Sequence, residues 1–234
     1  MPILPEILGQ LQFITQESAL LGLFITAAII VVVRDWRTLI LTLLIQYILV
    51  GLILSRLVRP DIATLKVMIG AFICPILFLS ARQVSGGVTP LFLFTEKRER
   101  GERQKFSLFA LLMGRDRRRR PPATGFVFRI MVVILMVLVA PALSSTFALP
   151  GLSADITIAV YWLILAGLII LTLTEDPMKA GHGLFTMLAG FDLFYATVER
   201  SLLMTGLWGA ANLLLALAIG YLTVVRGAGP EEEL

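Results

Sequence analysis

The sequence predicts an all-α protein, a polytopic bundle of about seven transmembrane helices. Three observations carry this. Apolar residues make up 58% of the chain and charged residues 15%, against roughly 45–50% and about 25% in soluble domains; mean hydropathy is +0.90. The apolar residues gather into seven long runs. The basic residues are lopsided: eleven of the twenty Lys and Arg lie in the single stretch 82–122.

Residues 1–15 carry Pro2, Pro5 and Glu6 and no basic n-region, so they do not read as a cleavable signal peptide. Ile3, Leu4, Ile7, Leu8, Leu11, Phe13 and Ile14 form an apolar face, which reads as a helix lying at the membrane interface. The apolar runs follow at 18–33, 38–55, 62–80, 124–147, 155–173, 183–198 and 201–225. Several are shorter than the usual ~20 residues, as expected of helices buried among others. Pro75, beside Cys74, frees a carbonyl in the third run and predicts a kink. Pro177 and Gly181 mark a turn before the sixth run. The break between the sixth and seventh runs is placed at Glu199-Arg200.

Charge sets the orientation, because basic residues stay on the cytoplasmic side. The loop 82–122, Arg34, Arg37, Arg129, Lys179 and Arg226 share that side; Arg56, Arg59 and Arg200 lie opposite. The N-terminus is therefore expected outside and the acidic tail at 227–234 inside. The protein divides into an N-terminal three-helix unit (1–81), a basic loop (82–123) and a C-terminal membrane unit (124–226). Within the loop, 106–113 is apolar but too short to span. With basic flanks, including Arg115, Arg117, Arg118, Arg119 and Arg120, it reads as a helix on the anionic inner leaflet. The arginine run fits topology and lipid headgroups rather than nucleic acid.

Runs one to three and five to seven share lengths and orientation, with the fourth run restoring direction between them. Gln46 and Asp192 are 146 positions apart, and so are Lys66 and Asn212. Two parallel three-helix repeats follow as an expectation.

Polar residues inside apolar runs are the candidate site. Asp192 sits about nine residues in from His182, or roughly 13 Å, near the midplane of a core about 30 Å thick. An ionised carboxylate there needs a partner, a cavity or a neighbouring helix; the alternative is a protonated, packed Asp. Lys66 either takes part or snorkels to the outer surface. Gln46 and Asn212 read as interhelical hydrogen-bond contacts. Glu199, two turns past Asp192, passes protons if the helix continues, or is a solvated loop residue beside Arg200. Glu175 and Asp176 lie where an inner proton path would begin. His182 reads as a loop histidine, with proton transfer near neutral pH as the alternative.

Single Cys74 and His182 exclude an internal disulfide and multi-histidine metal or haem sites. No P-loop, dinucleotide-binding, zinc-protease or hydrolase motif occurs. No cofactor is expected, and catalysis by the chain alone is not.

The stretch Leu188-Ala189-Gly190-Phe191-Asp192-Leu193-Phe194-Tyr195-Ala196, after Lys179 and the apolar run from Gly183 to Met187, resembles the second helix of the chain 4L (subunit K) family of respiratory complex I. The likeness covers 159–224. It implies that Asp192 stands where that family has an intramembrane proton-relay Glu. The whole-chain plan is similar to hydrogenase-4 component E, with Gln46 on one early helix and Lys66 followed by Pro75 on the next. The relay acid here is one methylene shorter. No second acid occurs in the last run, where Asn212 is the strongly polar residue, and the basic loop is not a family feature. The resemblance implies a small subunit of a complex I-type or group 4 hydrogenase-type proton (or sodium) pump in a bacterial or archaeal cytoplasmic membrane. Its partners would be larger antiporter-like subunits. Asp192 would alternate between protonated and ionised states as a lysine of a neighbouring subunit approaches, with Glu175, Asp176 and His182 gating inner access. A self-contained secondary transporter and a structural subunit without an ion path are the rivals.

Overall fold

The computed structural model describes residues 16–85, 124–199 and 201–228. The N-terminal interfacial helix, the loop from 86 to 123 with its five candidate arginines, Arg200 and the acidic tail lie outside the described residues. Within them the chain is all helical, without strands. The helices are α1 (Gln16–Val32), α2 (Trp36–Leu57), α3 (Pro60–Ser85), α4 (Thr124–Thr146), α5 (Ala154–Leu173), α6 (Pro177–Val198) and α7 (Leu202–Ala228).

Five of these, α2, α3, α4, α5 and α7, are long and apolar enough to cross a membrane. α1 is apolar but only 17 residues long. α6 has 22 residues but carries Lys179, His182 and Asp192 along its length. α6 buries twelve of its 22 residues, Lys179, His182 and Asp192 among them, against its neighbours, which is where a polar membrane helix is tolerated; α1 buries seven of its residues but leaves Leu21 and Ile25 exposed. α4 is the opposite case. Phe126, Val127, Ile134, Leu135 and Leu138 all face outward from it.

The main difference from the sequence reading is the start of α6. It begins at Pro177, six residues before the apolar run. Pro177 occupies the first turn, where its missing N–H costs nothing, and the Asp176 side chain caps the helix by accepting from the Met178 N–H at 3.2 Å. Local capping thus extends the helix through Lys179, Gly181 and His182, which hydropathy alone assigns to a turn. The other end falls where expected. α6 stops at Val198, and Glu199 turns the chain by accepting from the Ser201 N–H at 2.9 Å.

α2 packs between α1 and α3, and α6 between α5 and α7; α1 also packs on α5, α2 on α6 and α3 on α7. Each helix of the first triple therefore lies against its counterpart in the second. α4 packs on α5 and α1 at one side. Cross-links at the helix ends give the directions. Arg129 at the start of α4 donates to the Val31 carbonyl at 3.0 Å, Lys179 at the start of α6 donates to the Val33 carbonyl at 2.6 Å, and Arg226 near the end of α7 donates to the Glu175 carbonyl. One end of the bundle thus collects Arg34, Arg129, Lys179 and Arg226; Arg56 and Arg59 lie at the other.

Lipid offers no hydrophobic drive for one helix to leave it for another, so close approach must supply the attraction. Glycines permit it where α5 crosses α6. A Cβ on Gly167 would stand 2.5 Å from the Gly183 carbonyl oxygen, and one on Gly183 would stand 2.7 Å from Ile170.

Candidate functional site

Asp192 lies six residues before the end of α6, about 9 Å along the helix axis and nearer that end than the middle of the helix. Lys66 lies six residues after the start of α3, and Trp208 six residues after the start of α7. Since α3 and α7 both begin at the end where α6 stops, equal offsets bring all three to one level. There they meet. Lys66 Nζ is 2.6 Å from Asp192 Oδ1, and Trp208 Nε1–H donates to the same oxygen at 2.8 Å. The charged side chains are 3% and 2% exposed. Lys66 therefore does not snorkel.

Aromatic rings close the α7 side. Trp208 packs on Phe191 with centroids 5.4 Å apart and on Tyr195 at 6.2 Å. Tyr47 of α2 closes another side. Its ring lies on α3 at Gly70, one turn beyond Lys66, where a Cβ would stand 2.3 Å from the ring. The Tyr47 hydroxyl is buried, within electrostatic reach of Asp192, and without a hydrogen-bond partner.

Toward the basic end the buried polar atoms continue. Gln46, 0% exposed, is the neighbour of Tyr47 in sequence, and its Oε1 faces Thr186 Oγ1 at 3.5 Å. The one hydroxyl hydrogen of Thr186 goes to the nearer acceptor, the His182 carbonyl at 2.8 Å. His182, 0% exposed, places Nδ1 2.7 Å from the Met178 carbonyl. A carbonyl has no hydrogen to give, so Nδ1 carries one, and the neutral ring turns the lone pair of Nε2 inward. That Nε2 has no partner, and neither does Gln46 Nε2. His182 is thus a buried helix residue, not the loop histidine expected from the turn signals. From its level, Lys179 is one turn nearer the basic end.

The remaining predicted residues scatter. Glu175 and Asp176 are exposed in the α5–α6 turn, with Asp176 engaged as the cap of α6. Glu199 is a half-buried turn residue beyond the end of the helix, so the continuous helical face leading to Asp192 does not form. Gln46 does make an interhelical contact. Asn212 is buried on α7, but its amide nitrogen is unpartnered. A cavity of about 150 Å³ lined by Arg59, Asp61, Ile62 and Leu202 opens at the end nearer the pair, and Ile62 is one turn from Lys66.

Tyr47, Thr186 and Trp208 escaped the sequence reading. Each sits in an apolar run as an ordinary amphipathic residue. The signal that finds Trp208 is its offset from the helix start, which requires the helix ends to be known. Among the described residues no group of three His, Cys, Asp or Glu comes together to hold a metal.

No family model, curated protein or solved structure matches this chain.

Proposed function

We propose that the protein is a small membrane subunit of a redox-driven cation pump of the complex I or group 4 hydrogenase type, and that the Asp192–Lys66 pair is its charge relay. One observation carries the reading: an ion pair buried between α6 and α3, with unpartnered polar atoms running from it toward the basic end. Removing two charges from water costs several kcal/mol per ion. A pair kept there at that cost is the form expected of a group that must change its protonation state inside a membrane.

In this reading Asp192 is the proton carrier. In this reading it is held ionised for as long as Lys66 stays at 2.6 Å. When Lys66 swings away, toward the cavity beside Ile62, the carboxylate takes a proton. Its return displaces that proton. Trp208 holds Oδ1 throughout and keeps the carboxylate from following. The lysine that drives the cycle belongs to the same chain, in place of the partner's lysine that the family resemblance implies. Protons reach the pair through Tyr47, Gln46, Thr186 and His182. Unsatisfied buried groups cost about 1–3 kcal/mol each, which favours ordered water between them. Glu175 and Asp176 stand at the inner mouth. Larger antiporter-like subunits would carry the path onward, and the basic loop would face the cytoplasm with the N-terminus outside.

The test is Asp192→Asn in the native membrane. Asparagine keeps the shape and one acceptor for Trp208 but cannot carry a proton. Because the lone Lys66 charge is then stranded, Asp192→Asn is paired with Lys66→Met: substrate-driven proton uptake should fall to background while the assembled complex stays intact on native gels. Normal uptake would refute the relay.

A further inference from the structure

We infer that the notch between the C-terminus of α1 and the N-termini of α4 and α6 binds a phosphate group, and that its occupant is the headgroup of an anionic phospholipid. Three cations from three elements converge there. Lys179 donates to the carbonyls of Val33 at 2.6 Å and Val31 at 3.3 Å, and Arg129 donates to the same Val31 carbonyl at 3.0 Å. Both side chains are buried, 5% and 7% exposed. The third, Arg34, is exposed, and its guanidinium lies over Gly125, where an added Cβ would stand 2.8 Å from Nη2. All three lie within electrostatic reach of Lys179 or of one another.

The carbonyls satisfy hydrogen bonds but do not neutralise charge. The C-terminus of α1 offers only about half a negative charge, and the N-termini of α4 and α6 add positive potential of the same size. Arg34 rests against the positive end of α4, whose first turn holds no acidic residue. That placement is repulsive unless an anion lies between. The nearby carboxylates are Asp176, capping α6, and Asp35, which accepts from Thr38 Oγ1 at 3.0 Å. Burial pulls the pKa of Lys179 down to about 7, so it carries only part of its charge at neutral pH without an anion beside it, and Glu175 is exposed in the turn before α6; the two arginines and the two helix N-termini remain the fixed positive potential of the notch. Neither Lys179 nor Arg129 has a carboxylate within salt-bridge distance among the described residues.

The choice of lipid over free phosphate follows from position. The notch lies at the basic end, at the foot of α4, whose outward face of Phe126, Val127, Ile134 and Leu138 provides an apolar wall for acyl chains. Basic clusters between membrane helices at the headgroup level are the form that retains anionic lipid.

The experiment uses the purified full-length protein in detergent micelles, with phosphatidylglycerol, phosphatidylcholine or inorganic phosphate added. Native mass spectrometry counts bound lipid, and thermal unfolding reports stabilisation. Phosphatidylglycerol should bind and stabilise over phosphatidylcholine. Each cation contributes about fivefold near a membrane surface, so Arg34→Gln/Arg129→Gln should weaken binding by about 25-fold. Arg34→Gln alone, at an exposed position, tests the site without disturbing the core and should lose about fivefold. Arg226→Gln, at the same end but outside the notch, should bind as the parent does. Equal retention of both lipids, or unchanged phosphatidylglycerol binding in both notch variants, would overturn the proposal. So would equal stabilisation by millimolar inorganic phosphate, which would make the occupant a free anion.

Discussion

Lys66 and Asp192 stabilise the fold only as a pair. Removing one partner strands the other as a buried charge, at a cost of about 3–5 kcal/mol. Asp192→Ala should therefore lower the unfolding midpoint in detergent sharply. The double change Lys66→Met/Asp192→Leu should restore stability to about the parent value, since apolar replacements of a buried pair are often neutral or better. Driven proton uptake should remain lost in the double variant. Recovery of both stability and uptake would make the pair a packing device. Trp208→Phe keeps the ring against Phe191 and Tyr195 but removes a donor to a charged oxygen, worth about 1.5–3 kcal/mol by unfolding titration. At this scale the sequence was partly legible. A lone Asp and a lone Lys in apolar runs stand out because lipid penalises charge. Trp208 and Tyr47 do not stand out, because an aromatic residue with a polar tip is ordinary in any membrane helix. His182 was misplaced for another reason. Pro and Gly signal turns by local preference, yet Pro in a first turn and a preceding Asp cap start a helix equally well.

The helices themselves follow from apolar run length, and six of the seven begin within two residues of where hydropathy puts them. α6 is the exception because its first turn is polar and buried, a combination that hydropathy scores as loop. Its fit against α5 depends on Gly167 and Gly183, whose backbones nearly touch. Gly167→Ala should push the helices apart and cost about 1–3 kcal/mol, as overpacking does. Gly206→Ala, with nothing within 4 Å of the added carbon, should leave the unfolding midpoint unchanged. If both behave alike, the α5–α6 crossing is not what holds this unit together.

Across the whole molecule, the two triples lie one against the other with α4 as the connector that lets the second run parallel to the first. This arrangement puts Arg59 at one end and Arg226 at the other. With Cys74→Ala as background, Arg59→Cys should react with an impermeant maleimide added outside intact cells, and Arg226→Cys only after the membrane is opened. The reverse pattern would invert the proposed orientation and place the basic notch outside. Composition, run length and charge asymmetry determined the helical membrane class, the places where the chain turns apart from the start of α6, and the rare polar residues within the runs. These are local properties, each set by what a single segment can bury in lipid. Only the tertiary structure decided that Lys66 finds Asp192, 126 residues away, that His182 points inward and that three cations share one notch. Those meetings depend on which helices are neighbours and at what height they cross. Backbones brought close by small residues fix that, and no single segment encodes it.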